Sequence, residues 1–381
     1  MLDSLLPPRP VPRWLHSWAV LTVCATLVLL VIGQLVTSFR AGMADPIWPT
    51  EPWYLLDNYK LDAGYLIEHA HRIVGFSVGG IVSVLALGMW WTEPRPVAKW
   101  VGILALITLL AGFGEFHRSL MVQRDPGVPV RVPMRAVGMM AGALAVVVAV
   151  AVAGVAGGAR GGGLRFLGVA GLVAVMVQGL FGGFRVKLNE LAGTDLAAVH
   201  GVFGQVVFSL LVAIGVLTAR PPAGTLPAAP RCVLGRHSLA LVGLLFVQLV
   251  WGAMVRHAPD SLNQRLHLLT AFLAVATAVW LLRAGFTTPA ARPRFASAGW
   301  VLGVLIVLQV TLGVEAWMGK FGEEARRGKP AAAFLAEAER VTGKQAAVRT
   351  AHALVGTGLL AAAVALALRL RVGPGRAGDT P

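Results

Sequence analysis

The chain is poor in charge. Of its 381 residues only 13% are Asp, Glu, Lys or Arg, against the quarter expected of an average soluble domain, and that scarcity excludes a soluble fold with a solvated surface. Acids are the scarcer sign: 18 Asp and Glu stand against 33 Lys and Arg, a formal net charge of +15. In a soluble protein such an excess would suggest nucleic acid. Here the basic residues sit in short connections between apolar runs, which suits a topology signal and implies no nucleic-acid partner. Cysteine is nearly absent. Cys24 falls in the first apolar run and Cys232 in a connection, so no disulfide is expected and the redox compartment cannot be read from them. A Cys cluster and a His-x-x-x-His pair are both missing, which leaves zinc without an evident ligand set. No cleavable leader is expected in the first run. The first run, about His16 to Phe39, is longer than a signal-peptide core, and Ala41-Gly42-Met43-Ala44 is a poor cleavage site, so this run reads as an uncleaved anchor helix with no Arg/Ser-rich transit peptide before it.

What the chain has in abundance is apolar sequence, 56% of residues, with 45 glycines, many of them inside the apolar runs, where they allow helices to approach closely in lipid. Ten runs are long enough to span a bilayer: about 16–38, 66–92, 97–114, 135–157, 164–184, 194–219, 236–256, 264–284, 297–318 and 347–370. The expected fold is therefore an all-α integral membrane protein. Arg9, Arg13, Arg95, Lys99, Arg160, Arg165, Arg220, Arg231, Arg236, Arg292, Arg294 and Arg371 fall on one side of this plan, which places both termini in the cytoplasm. The segment of about 115–134, with Arg118, Arg124 and Arg131, runs against that rule. Of the outer connections, 39–65 is rich in Trp and Tyr, as interfacial anchors are. Residues 319–346 include Phe334-Leu335-Ala336-Glu337-Ala338-Glu339-Arg340, suited to an amphipathic helix.

An internal repeat organises the runs. Near the outer ends of four of them stands a glycine turn, and the next or a nearby incoming run brings a histidine: Gly33 with His71, Gly182 with His200, Gly252 with His267, Gly313 with His352. Three of the four exit runs read Gln-x-x-x-Gly, at Gln178, Gln248 and Gln309. A duplicated four-helix unit accounts for this, with about 97–160 inserted in the first unit as a helical hairpin, giving units of 1–230 and 231–381. All four histidines then fall at one depth, early in inward-running helices. A pair of neutral imidazoles facing each other across a bundle is the ligand set of a six-coordinate haem iron, so two pairs predict two haem sites toward the outer face. A single intramembrane histidine more often bonds a neighbouring carbonyl; four at matched positions reverse that preference.

Glu68-His69-Ala70-His71-Arg72 adds charge where an apolar helix should begin. Glu68 and His71 are three apart and share a helix face, while His69 points elsewhere. Such a carboxylate requires a partner or ligand, or it belongs to a proton path; its plain alternative is a hydrogen bond to a loop or an Arg. His16 and His237 lie near inner helix starts, His117 in a loop and His257 just beyond an outer helix end, with no role assigned.

These motifs resemble those of the haem A synthase family: Glu68 to Arg72 is similar to its Glu-x-x-His-Arg motif, and Asp45-Pro46-Ile47-Trp48-Pro49 to its outer-loop Trp-Pro element. The Gln178-to-Gly183 stretch with His200, and Gln248 to His257 with His267, are similar to its later signatures. The resemblance implies two similar four-helix bundles and an oxidoreductase that converts the C8 methyl group of haem O to a formyl group, making haem A for a terminal cytochrome oxidase. It implies that His71 and His200 hold the substrate haem O, that His267 and His352 hold a resident haem b (iron), and that Glu68 is the catalytic carboxylate. Arg72, Arg185, Arg256, Arg265 and Arg349 could pair with haem propionates or with lipid headgroups. Implied partners are haem O synthase and an electron donor or acceptor; a homo-oligomer is compatible. The implied location is a bacterial inner membrane. The chain departs from the family in its ten runs and in an outer loop without a cysteine pair. Two other readings stay open: a di-haem b electron-transfer protein without haem-modifying activity, and a proton-coupled transporter.

Overall fold

The computed structural model describes residues 11–44, 63–122, 132–159, 161–219, 226–258, 260–319 and 342–371. The Trp-Pro element at 45–49 and the stretch 334–340 lie outside them. Within the described residues the chain is helical throughout, and ten helices are long and apolar enough to cross a membrane. They are α1 (Arg13–Ser38), α2 (Ala63–Trp91), α3 (Pro96–Val122), α4 (Met134–Ala156), α5 (Gly162–Lys187), α6 (Asn189–Thr218), α7 (Ala228–His257), α8 (Ser261–Thr287), α9 (Arg292–Trp317) and α10 (Gly343–Arg371). Long apolar runs form helices in lipid because only intrahelical bonds can satisfy every backbone N–H and C=O there. Their outward faces carry large apolar side chains such as Leu104, Ile107, Trp300, Val304 and Val307, all at least half exposed. An apolar surface of this extent belongs against lipid acyl chains.

Packing joins α1, α2, α5 and α6 in a closed ring of neighbours, and α7, α8, α9 and α10 in a second; α10 also rests on α1 and α6. Each ring has its own buried apolar core, one around Leu85, Met89, Trp90, Leu172, Leu211 and Ile214, the other around Leu234, Leu241, Leu281, Phe295 and Leu366. The α3–α4 pair is packed tightly on itself. It attaches to the first ring through α4 on α5 and, more sparsely, through α3 on α2. Gly102 of α3 lets the Trp90 ring lie flat against its backbone: a β-carbon there would come within 2.0 Å of that ring.

Helix boundaries differ from the apolar runs where local polar contacts prolong a helix. α3 runs on to Val122, so Glu115, His117 and Arg118 are helical and not in a loop. Arg118 donates to Glu115 at 2.9 Å one turn away, and the His117 ring packs on Phe113 at 4.8 Å, pairs of the i,i+3 and i,i+4 kind that hold a helix through polar sequence. Cys232 lies inside α7 and not in a connection; it and Cys24 are both exposed free thiols. His257 is the last residue of α7 and not beyond it.

At the α2–α3 connection Glu93 is 1% exposed and clamped between two arginines: Arg165 at 2.7 Å, itself 5% exposed, and Arg95 at 2.8 Å, 48% exposed. Burial pushes the Glu93 carboxyl up, but hydrogen bonds from Arg95 and the charge of Arg165 outweigh it and hold the group below its ordinary 4.5. Its stabilisation is thus complete above the unfolded-state value and is lost as pH falls through the lowered folded one. Glu93→Ala should cost about 3 kcal/mol, since it strips a buried guanidinium of its carboxylate. Arg95→Ala should cost less than about 1 kcal/mol. Thermal unfolding in detergent checks both, and Glu93→Gln should flatten the decline of stability below that pH.

Candidate functional site

Helix ends build the site. The late turns of α1, α5, α7 and α9 and the early turns of α2, α6, α8 and α10 line one cavity of about 1,810 Å³, and His71, His200, His267 and His352 all face it. A pocket for a drug-sized ligand occupies roughly 300–1,000 Å³, so there is room for more than one large ligand. The four glycines named with these histidines are helical residues, not turns. Their use is close approach. A β-carbon on Gly33 would stand 2.8 Å from Cε1 of His71, one on Gly252 3.2 Å from Cε1 of His267, and one on Gly313 3.0 Å from Cε1 of His352.

The histidines meet in two matched pairs. His71 and His200 have ring centroids 6.4 Å apart with planes at 79°; His267 and His352 are 6.4 Å apart at 77°. Two metal–nitrogen bonds of roughly 2 Å, with about 1 Å from each nitrogen to its ring centre, span roughly 6 Å. The pairs therefore have the spacing of two imidazoles on opposite sides of one metal. No group of three or more His, Cys, Asp or Glu that could hold an ion occurs among the described residues.

Each ring is braced by the residue four positions before its glycine. Nδ1 of His267 lies 3.2 Å from the Gln248 carbonyl, which can only accept, so Nδ1 carries the proton and Nε2 keeps its lone pair. The Gln248 amide nitrogen reaches that Nε2 at 3.3 Å, and Thr270 donates to the Gln248 amide oxygen. Gln309 reaches Nε2 of His352 at 3.4 Å, and Gln178 reaches both ring nitrogens of His200 at 3.3 Å and its carbonyl at 3.0 Å. Leu29 takes this place beside His71. Nδ1 of His71 and of His352 is buried on the side of the Leu29 and Gln309 backbone carbonyls, the same side on which Nδ1 of His267 meets the Gln248 carbonyl.

The two pairs differ in what surrounds them. Glu68 is 4% exposed, lines the cavity, and accepts from Arg72 Nη2 at 2.7 Å across one helical turn. His69 is turned away, stacked on Tyr65 at 5.6 Å. Three residues before a histidine, the position of Glu68 is taken in α8 by Gln264, which also lines the cavity, and Arg72 is matched by Leu268. One pair therefore has a carboxylate beside it and the other a neutral amide. Aligning the repeats on their histidines would have exposed this difference in the sequence.

A half-buried cationic group links the two halves. Arg256 of α7 donates to Gln34 Oε1 and Ser38 Oγ of α1, both at 2.7 Å, and Ser38 meets Thr350 of α10 at 2.7 Å. Arg185 is backed against Gly42 with its Nε buried and without a hydrogen bond. Arg349 and His257 also line the cavity, whereas Arg265 is exposed and is not among its lining residues. Sequence reasoning missed the Arg256 network because nothing local marks Gln34 or Ser38 as its partners. The chain matches no family model, no curated protein and no solved structure.

Arg256→Met should cost about 2 kcal/mol, the loss of hydrogen bonds from a charged donor with the acceptor of Ser38 left buried. In a double-mutant cycle with Gln34→Leu, unfolding midpoints should show coupling of at least about 0.5 kcal/mol, since the two residues touch.

Proposed function

We propose that this is a haem-modifying membrane oxidoreductase, a haem A synthase that oxidises the C8 methyl group of haem O to a formyl group. The observation that carries the reading is two imidazole pairs of equal 6.4 Å spacing, of which one alone has a buried carboxylate beside it. In this reading residues 1–230 and 231–381 are pseudo-symmetric four-helix units, the first with the inserted hairpin. Both termini are cytoplasmic, and the haem sites face the outer side of a bacterial inner membrane.

His71 and His200 hold haem O as substrate, and His267 and His352 hold haem b. Bound haem b supplies a one-electron redox centre. The chain's own contribution is position and charge. The Gln248 backbone carbonyl orients His267 through Nδ1 and leaves Nε2 for iron, and Gln264 puts a neutral amide where the first pair has Glu68. In the first pair Arg72 holds the Glu68 carboxylate on the cavity wall within one helical turn of His71, where it takes or returns a proton at the substrate's edge. Arg185, Arg256 and Arg349 give the space between the pairs a positive potential suited to propionates. The electron-carrier reading explains the matched pairs as well, and it gives Glu68 only the structural use of its ion pair with Arg72.

The test is haem extraction and mass analysis after co-expression with a haem O synthase. Wild type should yield haem A or its hydroxylated precursor. His71→Ala should abolish it, and Glu68→Gln should lower it at least about a hundredfold while leaving haem b bound. Haem b alone from well-folded wild type would establish the electron carrier, and no haem in either pair would defeat both haem readings.

A further inference from the structure

The inserted hairpin gives the first histidine pair something the second lacks. The cavity extends from His71 along α2 into a crevice between α2 and α3, walled by Phe76, Gly79 and Ser83 on one side and Leu110, Phe113 and His117 on the other. Gly79 stands two turns beyond His71, about 12 Å along the helix axis. A β-carbon on Gly79 would meet nothing within 4 Å, so this glycine faces open space and is not there for close packing. Ser83 spends its hydroxyl on the Gly79 carbonyl at 2.8 Å, leaving no polar group turned outward from that stretch of α2. The far wall is aromatic: His117 packs edge-on to Phe113 at 4.8 Å and to Phe76 at 6.2 Å.

At the second pair the cavity also reaches along α8 to Phe272 and Val275, but no inserted helix walls it there. In the register of the histidines Gly79 corresponds to Val275, and Phe76 to Phe272, which is 73% exposed where Phe76 is 48% exposed and covered by His117. No hairpin is inserted between α8 and α9.

We propose that this crevice is the subsite for the isoprenoid side chain of haem O, and that α3 makes the first site selective for a tetrapyrrole bearing a long apolar substituent. The inference rests on the haem reading of His71 and His200. Its occupant follows from the crevice's position and chemistry: apolar, continuous with the ligand cavity, and running from the histidine pair toward the middle of α2. Protohaem has the same ring and iron but lacks the long chain, so it would gain nothing from the crevice.

The test is titration of the purified full chain in detergent with haem O and with protohaem, followed by absorbance, the first-site signal being the part lost in His71→Ala. Wild type should bind haem O there at least about tenfold more tightly than protohaem, a range that a well-formed apolar pocket reaches. Gly79→Leu, which fills open space and so should fold, should remove that preference and leave protohaem affinity unchanged; Phe113→Ala should reduce it. If the first site binds both haems equally and Gly79→Leu lowers both or neither, the crevice proposal is overturned while the haem reading stands. A lipid adduct seen by native mass spectrometry that disappears in Gly79→Leu, with no haem O preference, would likewise overturn it and assign the crevice to an acyl chain. If neither haem binds at His71 and His200, the haem reading itself fails.

Discussion

The architecture depends on how closely a helix backbone can approach an imidazole ring. At Gly33, Gly252 and Gly313 any β-carbon would press on the facing histidine, and the absence of a side chain lets the ring lie against the helix and present its nitrogens to the cavity and the bracing residue. From that contact follow the depth of each histidine, the equal separation of the pairs, and the position of the residue four before each glycine, which becomes the bracing group because it lies one turn away on the same face. A change of one methyl group at these points would alter the geometry of the site more than most changes within the cavity.

Much of this was legible beforehand, for identifiable reasons. Lipid forces an apolar run of twenty residues into a helix, so the spans could be counted from run length. The repeated spacing of Gln, Gly and His singled out the four histidines, because a ring and the backbone it leans on must stay in register. The rest depended on contacts between distant segments. Polarity alone placed Glu115 to Arg118 in a loop, whereas side-chain pairing one turn apart keeps that stretch helical. Cys232 and His257 were set outside a helix because hydropathy fades before the backbone hydrogen bonds do.

The two histidine pairs illustrate how a duplicated unit can hold one feature and vary another. What keeps the rings in place is nearly the same in both: glycine contact, spacing and angle. What differs is the surrounding chemistry, with Glu68, Arg72 and Gly79 in one half and Gln264, Leu268 and Val275 in the other. Such a division separates the geometry of holding a ligand from the groups that would act on it, and it leaves the second half chemically quiet.

The Arg256 bridge bears on how the protein is made. Its acceptors, Gln34 and Ser38, lie 222 and 218 residues earlier in the chain. At roughly 5–20 residues per second, the ribosome needs on the order of ten to forty seconds to supply the guanidinium after α1 has entered the membrane. During that interval Gln34 and Ser38 at the end of α1 are without the Arg256 contacts and are left to water or lipid headgroups. Maturation of the early helices is thereby timed by a residue synthesised near the two-thirds point of the polypeptide.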